Sequence, residues 1–155
     1  MRRRVAVKKP NVDNSHILAL CTFKEVTLPL AWEEGVNKNG WGIPKDIYIS
    51  ALTKKLEETN GAIIILDHAL KGIKVNDITK ISDQYAHVVG CVTDIDFKNM
   101  TANIKLKKEV KDIEEYVVGF GYNAQIDEET KMIKSLDVQV SALHKAIDNA
   151  YSKRR

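Results

Sequence analysis

The sequence predicts an α+β domain dominated by antiparallel sheet, and three observations carry that prediction. Apolar runs too short for a typical helix recur along the chain, among them Ala62-Ile63-Ile64-Ile65-Leu66 with its three β-branched residues. Other segments alternate strictly: Ala102, Ile104 and Leu106 are separated by Asn103 and Lys105, the period of a half-buried strand. Helical spacing is confined to stretches between and after these runs, which places strands and helices in one mixed domain.

His16-Ile17-Leu18-Ala19-Leu20-Cys21-Thr22-Phe23 is apolar and short and is expected to be a buried strand. Thr27 to Gly42 changes character: Trp32 and Trp41 flank a polar stretch ending in Asn39-Gly40, a long loop with a hairpin tip. Its tryptophans either offer a contact surface or pack back over the core. Pro44-Lys45-Asp46 starts a helix with Ile49, Leu52 and Leu56 on its buried face, and Asn60-Gly61 ends it. A central strand over Ala62–Leu66 follows, stopping at Asp67-His68, and Ala69 to Ser82 is polar and looped. Tyr85–Phe97 and Met100–Leu106 form a hairpin across Lys98-Asn99. Lys107–Tyr116, with Val110 and Ile113 three apart, is a short surface helix. Val117–Ile126 and Met132–Leu143 are strands joined by Asp127-Glu128-Glu129-Thr130, and Leu143, Ala146, Ile147, Ala150 and Tyr151 share one face of a final helix.

The 155 residues, 44% hydrophobic and 29% charged with eight Gly and three Pro, suit one domain and exclude collagenous or wholly disordered classes. The chain divides into a basic N-terminal arm over 1–15, an α+β domain over 16–150 and a basic tail over 151–155. No run approaches the roughly 18 apolar residues of a membrane span, and Met1-Arg2-Arg3-Arg4 is not followed by a signal-peptide core, so the protein is expected in the cytosol or in something assembled there. The net charge of +3 is unevenly spread: Arg2, Arg3, Arg4, Lys8, Lys9, Lys153, Arg154 and Arg155 take eight of the 24 basic residues, leaving 16 against 21 acidic ones elsewhere. Basic ends of this kind either contact acidic protein surfaces or phosphate, including packaged DNA nonspecifically, or remain solvated.

Candidate chemistry is sparse. Gly119-Phe120-Gly121 lacks the third glycine and the strand-to-helix setting of a phosphate cradle. Cys21 and Cys91 match no metal-ligand spacing and are expected as buried, reduced thiols. His68 follows an apolar strand and Asp67, where a rigid sheet can hold an imidazole at a cleft edge; a hydrogen-bonded structural histidine is the plainer reading. His16, His87 and His144 show no metal-ligand spacing with it, so no metal and no cofactor are expected. Period-two alternation puts Ser135, Asp137, Gln139 and Ser141 on one face of the last strand, a solvent face unless the carboxylate is held for a purpose.

The order of Asn37-Lys38-Asn39-Gly40 before a helix, Ile63-Ile64-Ile65-Leu66-Asp67-His68, Val89-Gly90-Cys91-Val92-Thr93-Asp94-Ile95, Val117-Val118-Gly119-Phe120-Gly121 and Leu136-Asp137-Val138 resembles the prohead (capsid maturation) proteases of tailed bacteriophages, relatives of the herpesvirus assemblins. The resemblance spans residues 16–150 and rests on short, degenerate motifs. It implies a β-barrel-like core flanked by helices, with His68 at the general-base position and Asp137 at that of a third polar residue on the final strand. The nucleophilic serine of the family would fall near Val118 and Gly119, and no serine is there.

A Ser-His protease needs an oxygen nucleophile within reach of its base, and neither valine nor glycine supplies one. The resemblance therefore implies a non-catalytic virion component, an auxiliary or decoration protein of a phage head assembled in the bacterial cytoplasm. Its partners would be the major capsid protein or other head proteins, gripped through Arg2, Arg3, Arg4, Lys8, Lys9, Trp32 and Trp41. The alternative is an active serine protease processing scaffold or capsid proteins with His68, Asp137 and a displaced nucleophile, Ser141 or Ser135.

Overall fold

The computed structural model describes residues 14–71 and 86–147. The basic residues of the arm and tail, Ser82, and the positions beyond residue 147 where the sequence predicts a final helix lie outside the described residues. The elements run α1 (Ser15–Leu18), β1 (Lys24–Pro29), α2 (Lys45–Glu58), β2 (Ile63–Leu66), β3 (Val88–Asp96), β4 (Thr101–Leu106), β5 (Tyr116–Asp127) and β6 (Met132–Lys145). The strands form one mixed six-stranded sheet in the order β1-β4-β3-β2-β6-β5. Neighbours are antiparallel except β2 and β6, which run parallel with Ile65 opposite Ser141 and Leu66 opposite Ala142.

The barrel-like core implied by the resemblance is corrected to an open sheet. Among the described residues its two edges are bridged where the chain beyond β1 meets β5, Leu30 opposite Val118, with the Ala31 N–H donating to the Val118 carbonyl at 2.8 Å. Pro29 ends β1, and the next residue, Leu30, still donates its N–H to the Met100 carbonyl at 2.9 Å before the chain runs on as a loop.

α2 begins after Pro44, carries Asp46 in its first turn where the helix dipole favours a carboxylate, and packs against β6. Its buried residues are Tyr48, Ala51 and Leu52, with Ile47 and Leu56 half-buried beside them, so Tyr48 takes the place expected of Ile49. The Tyr48 ring stacks on Trp32 at 5.9 Å and meets Phe120 edge-on at 6.4 Å, contacts that turn the helix by one residue from the expected face. At its end Asn60 and Gly61 adopt φ of 61° and 80°, and the Gly61 N–H closes on the Leu56 carbonyl.

Three expected elements differ. The apolar octet His16–Phe23 is not a strand: α1 and the turn after it bury Ile17 and Cys21, four apart as on a helix, and leave Leu20 and Phe23 exposed. Asn14 fixes this segment by donating from Nδ2 to the Ala62 carbonyl. The helix expected over Lys107–Tyr116 shrinks to one 3₁₀ turn, Ile113–Glu115, because Asp112 stands in the left-handed region at φ 56°. Finally, Leu143 lies inside β6, which runs on to Lys145, so no helix starts there, and Ile147 is 80% exposed.

The sheet buries both faces. Ile63 and Ile65 point into the main core with Leu52, Val92, Ile104 and Leu143, whereas Ala62 and Leu66 point to the opposite face and pack with Ile17, Val88 and Cys91. Each buried Ile or Leu contributes about 1.5–3 kcal/mol. Gly90 lets β3 and β4 close up, since a Cβ there would stand 2.5 Å from the Lys105 carbonyl oxygen.

Candidate functional site

The parallel pairing of β2 with β6 builds the site. Because Leu66 lies opposite Ala142, the chain two residues further brings His68 to the neighbourhood of His144, while β5 sets Gly119 opposite Ala142 and Val117 opposite His144. A Cβ added to Gly119 would fall 2.8 Å from His144 Cδ2 and 3.2 Å from Nε2, so the imidazole occupies the space a side chain at 119 would need. Val118 is fully buried and bridges to Leu30 through its backbone.

The half-buried setting of both imidazoles disfavours their charged form. Burial pushes the His144 pKa down and the charge of nearby His68 adds to it. Burial also lowers His68; Asp67 opposes this and His87 reinforces it. His68 Nδ1 is buried without a hydrogen-bond partner.

Asp67 serves as a brace. Its buried carboxylate meets His87 Nδ1 at 2.6 Å through Oδ1, and Lys71 at 3.2 Å and Lys108 at 3.8 Å through Oδ2. Burial raises its pKa, but the His87 and Lys71 contacts outweigh that and hold the carboxyl below the usual range. Its N–H donates to the His87 carbonyl and its own carbonyl accepts from Leu70 and Lys71, so the turn beyond β2 is locked to the head of β3.

The other sequence-derived candidates stand elsewhere. Asp137 is exposed on β6 opposite Asn123, accepts from Gln139 Nε2 at 2.9 Å, and lies five residues, ~16 Å, from the level of Ala142. It is therefore no partner for His68; the polar residue of the final strand beside His68 is His144. Ser135 is exposed opposite Gln125, still further along the same ribbon. Ser141 is close but sealed: it is 0% exposed, and its hydroxyl donates to the Gly119 carbonyl at 3.0 Å. Two irregularities in the β5–β6 register, at Gly121/Tyr122 and Gln125/Ile126, insert Gln139 and Lys134 as extra residues on β6 and reverse its parity twice. That is why Ser141 does not share the solvent face of Asp137.

Trp32 and Trp41 pack back on the core rather than projecting as anchors. Trp32 Nε1–H donates to the Ile43 carbonyl at 3.0 Å, and Trp41 meets Tyr122 edge-on at 5.8 Å. Cys21 and Cys91 are buried free thiols with Sγ atoms 3.9 Å apart, and burial pushes both pKa values up. Among the described residues, no three His, Cys, Asp or Glu side chains group to hold a metal ion, and no helix is long and apolar enough to cross a membrane.

What this arrangement offers chemically is two half-buried imidazoles over a bare backbone, with the candidate hydroxyl on β6, Ser141, sealed by its bond to Gly119. His144 and the Asp67–His87 pair were not legible in sequence, because each depends on strands brought together from far along the chain. Compared with known proteins, the chain matches no family model, no curated protein sequence and no solved structure.

Proposed function

We propose that this chain is a non-catalytic virion structural protein, an auxiliary or decoration component of a tailed-phage head, built on a prohead-protease-like fold. The observation that carries this reading is at Gly119. Where the resemblance calls for a nucleophile there is no side chain, and the His144 ring fills the space one would need. A base without a side-chain nucleophile cannot form the acyl-enzyme of a serine protease, and loss of that group alone removes most of the catalysis. Ser141, one of the two candidate serines on β6, is buried and committed to the Gly119 carbonyl. A chain freed from cleavage can remain in the particle it assembles with, as a structural part.

Quantitative mass spectrometry of purified mature particles tests this. The expected result is this chain at high copy number, full length, beside the major capsid protein. Trace copies together with trimmed capsid termini would overturn the proposal in favour of an active maturation protease.

A further inference from the structure

An indentation of about 200 Å³ opens where β1 starts and β4 ends, lined by Phe23, Lys24, Leu106, Val110, Ile113 and the carboxylates of Glu109, Asp112 and Glu114. Its floor is apolar: Leu106 and Ile113 are buried, Val110 is half-buried and Phe23 is 55% exposed. Its rim is acidic. None of the three carboxylates belongs to an ion pair among the described residues, and Lys24 is the single basic residue among those lining it. Asp112 also lies close enough to Lys145 to help raise that amine's pKa, after the Glu115 hydrogen bond that dominates.

The chain carries a segment of the complementary pattern. In Arg2-Arg3-Arg4-Val5-Ala6-Val7-Lys8-Lys9 a short apolar stretch is bracketed by cations, as an apolar floor with an acidic rim requires. We infer that this indentation is the docking site of the chain's own N-terminal arm, Val5–Val7 on the floor and the flanking cations on Glu109, Asp112 and Glu114.

Reach favours the arm of the same molecule over that of a second copy. Asn14 is tied to Ala62 at the head of β2; Leu106 lies two strands across and Lys24 three, both about three residues along, roughly 14 and 18 Å away by strand spacing. Seven to nine extended residues, from Asn14 back to Val5–Val7, span about 23–32 Å. Tethering makes the contact intramolecular, so weak exposed pairs gain from effective concentration.

Zero-length carbodiimide cross-linking of the full chain, read by peptide mass spectrometry, tests the inference. The Lys145–Glu115 pair, 2.6 Å apart, is the internal control. Links from Lys8 or Lys9 to Glu109, Asp112 or Glu114 within one molecule are expected. The control pair linking without them overturns the proposal, as do links found only between light and heavy copies in an isotope mixture. The variant Glu109→Gln/Asp112→Asn/Glu114→Gln changes only exposed side chains. It should speed tryptic cleavage after Arg4 and Lys8 by about tenfold, and an unchanged rate would equally overturn the assignment. The outcome does not depend on whether the chain serves in a virion.

Discussion

At the scale of single residues, the site is a set of groups held in uncharged or fixed states by their surroundings. Partial burial holds the pKa values of His68 and His144 below the ordinary histidine value of about 6.5. The unfolded chain therefore binds their protons first. Stability is fully present above that value and declines as pH falls from it through the lower folded values. Asp67 adds a second, more acidic stage. Its folded pKa is depressed, so its contribution is present above about 3.9 and lost as pH falls further. The melting temperature should fall in two steps between pH 7 and pH 3, and His144→Gln should flatten the first. A melting temperature constant from pH 7 to pH 5 would contradict the neutral imidazole pair. Gly119 explains how the His144 ring can lie against β5, since any side chain there would displace it.

At the scale of elements, α2 shows how packing decides among faces that sequence spacing leaves open. Leu52 is 0% exposed at its centre, and Leu52→Ala should cost about 2–5 kcal/mol in denaturant unfolding. Ile49, outside the core cluster, should cost under about 1 kcal/mol when changed to Ala. Equal losses would mean the helix is turned otherwise. The β3–β4 and β5–β6 hairpins were legible because alternation and turn residues are local signals, and the Asp96 carboxylate gathers the N–H groups of Lys98 and Asn99 at the first turn. The octet before β1 was not, since a run apolar at most positions has no period to read, and its helix is set by Asn14 reaching Ala62. Nor could spacing reveal the extra residues on β6, and with them went the parity that would have separated Ser141 from Asp137. His68 was legible as a residue at a strand end; its companion was not, because a parallel neighbour is chosen by topology rather than by local pattern.

Over the whole molecule, protection should be uneven. Amides of Ile63, Ile65, Val92 and Ile104 lie in central strands under both core clusters. Those of Asn123–Gln125 and Ser135–Asp137 lie in a ribbon of mostly exposed residues beyond the point where β2 meets β6. Hydrogen exchange of the native protein should be at least about a hundredfold faster in the ribbon. Equal protection would show that something covers it. The single parallel join has a further consequence, for the time course of synthesis. β3 and β4 can pair as soon as both are made, but β2 must wait for residues 141 and 142, some 76 positions further along the chain, before its second edge is filled. Until then its apolar edge has no permanent neighbour, and closing so long a loop is slow. The nascent chain therefore carries, from the making of β2 until β6 is made, a vacancy at the middle of its own sheet. Crowding or a chaperone at that stage would decide its yield more than the stability of the finished fold.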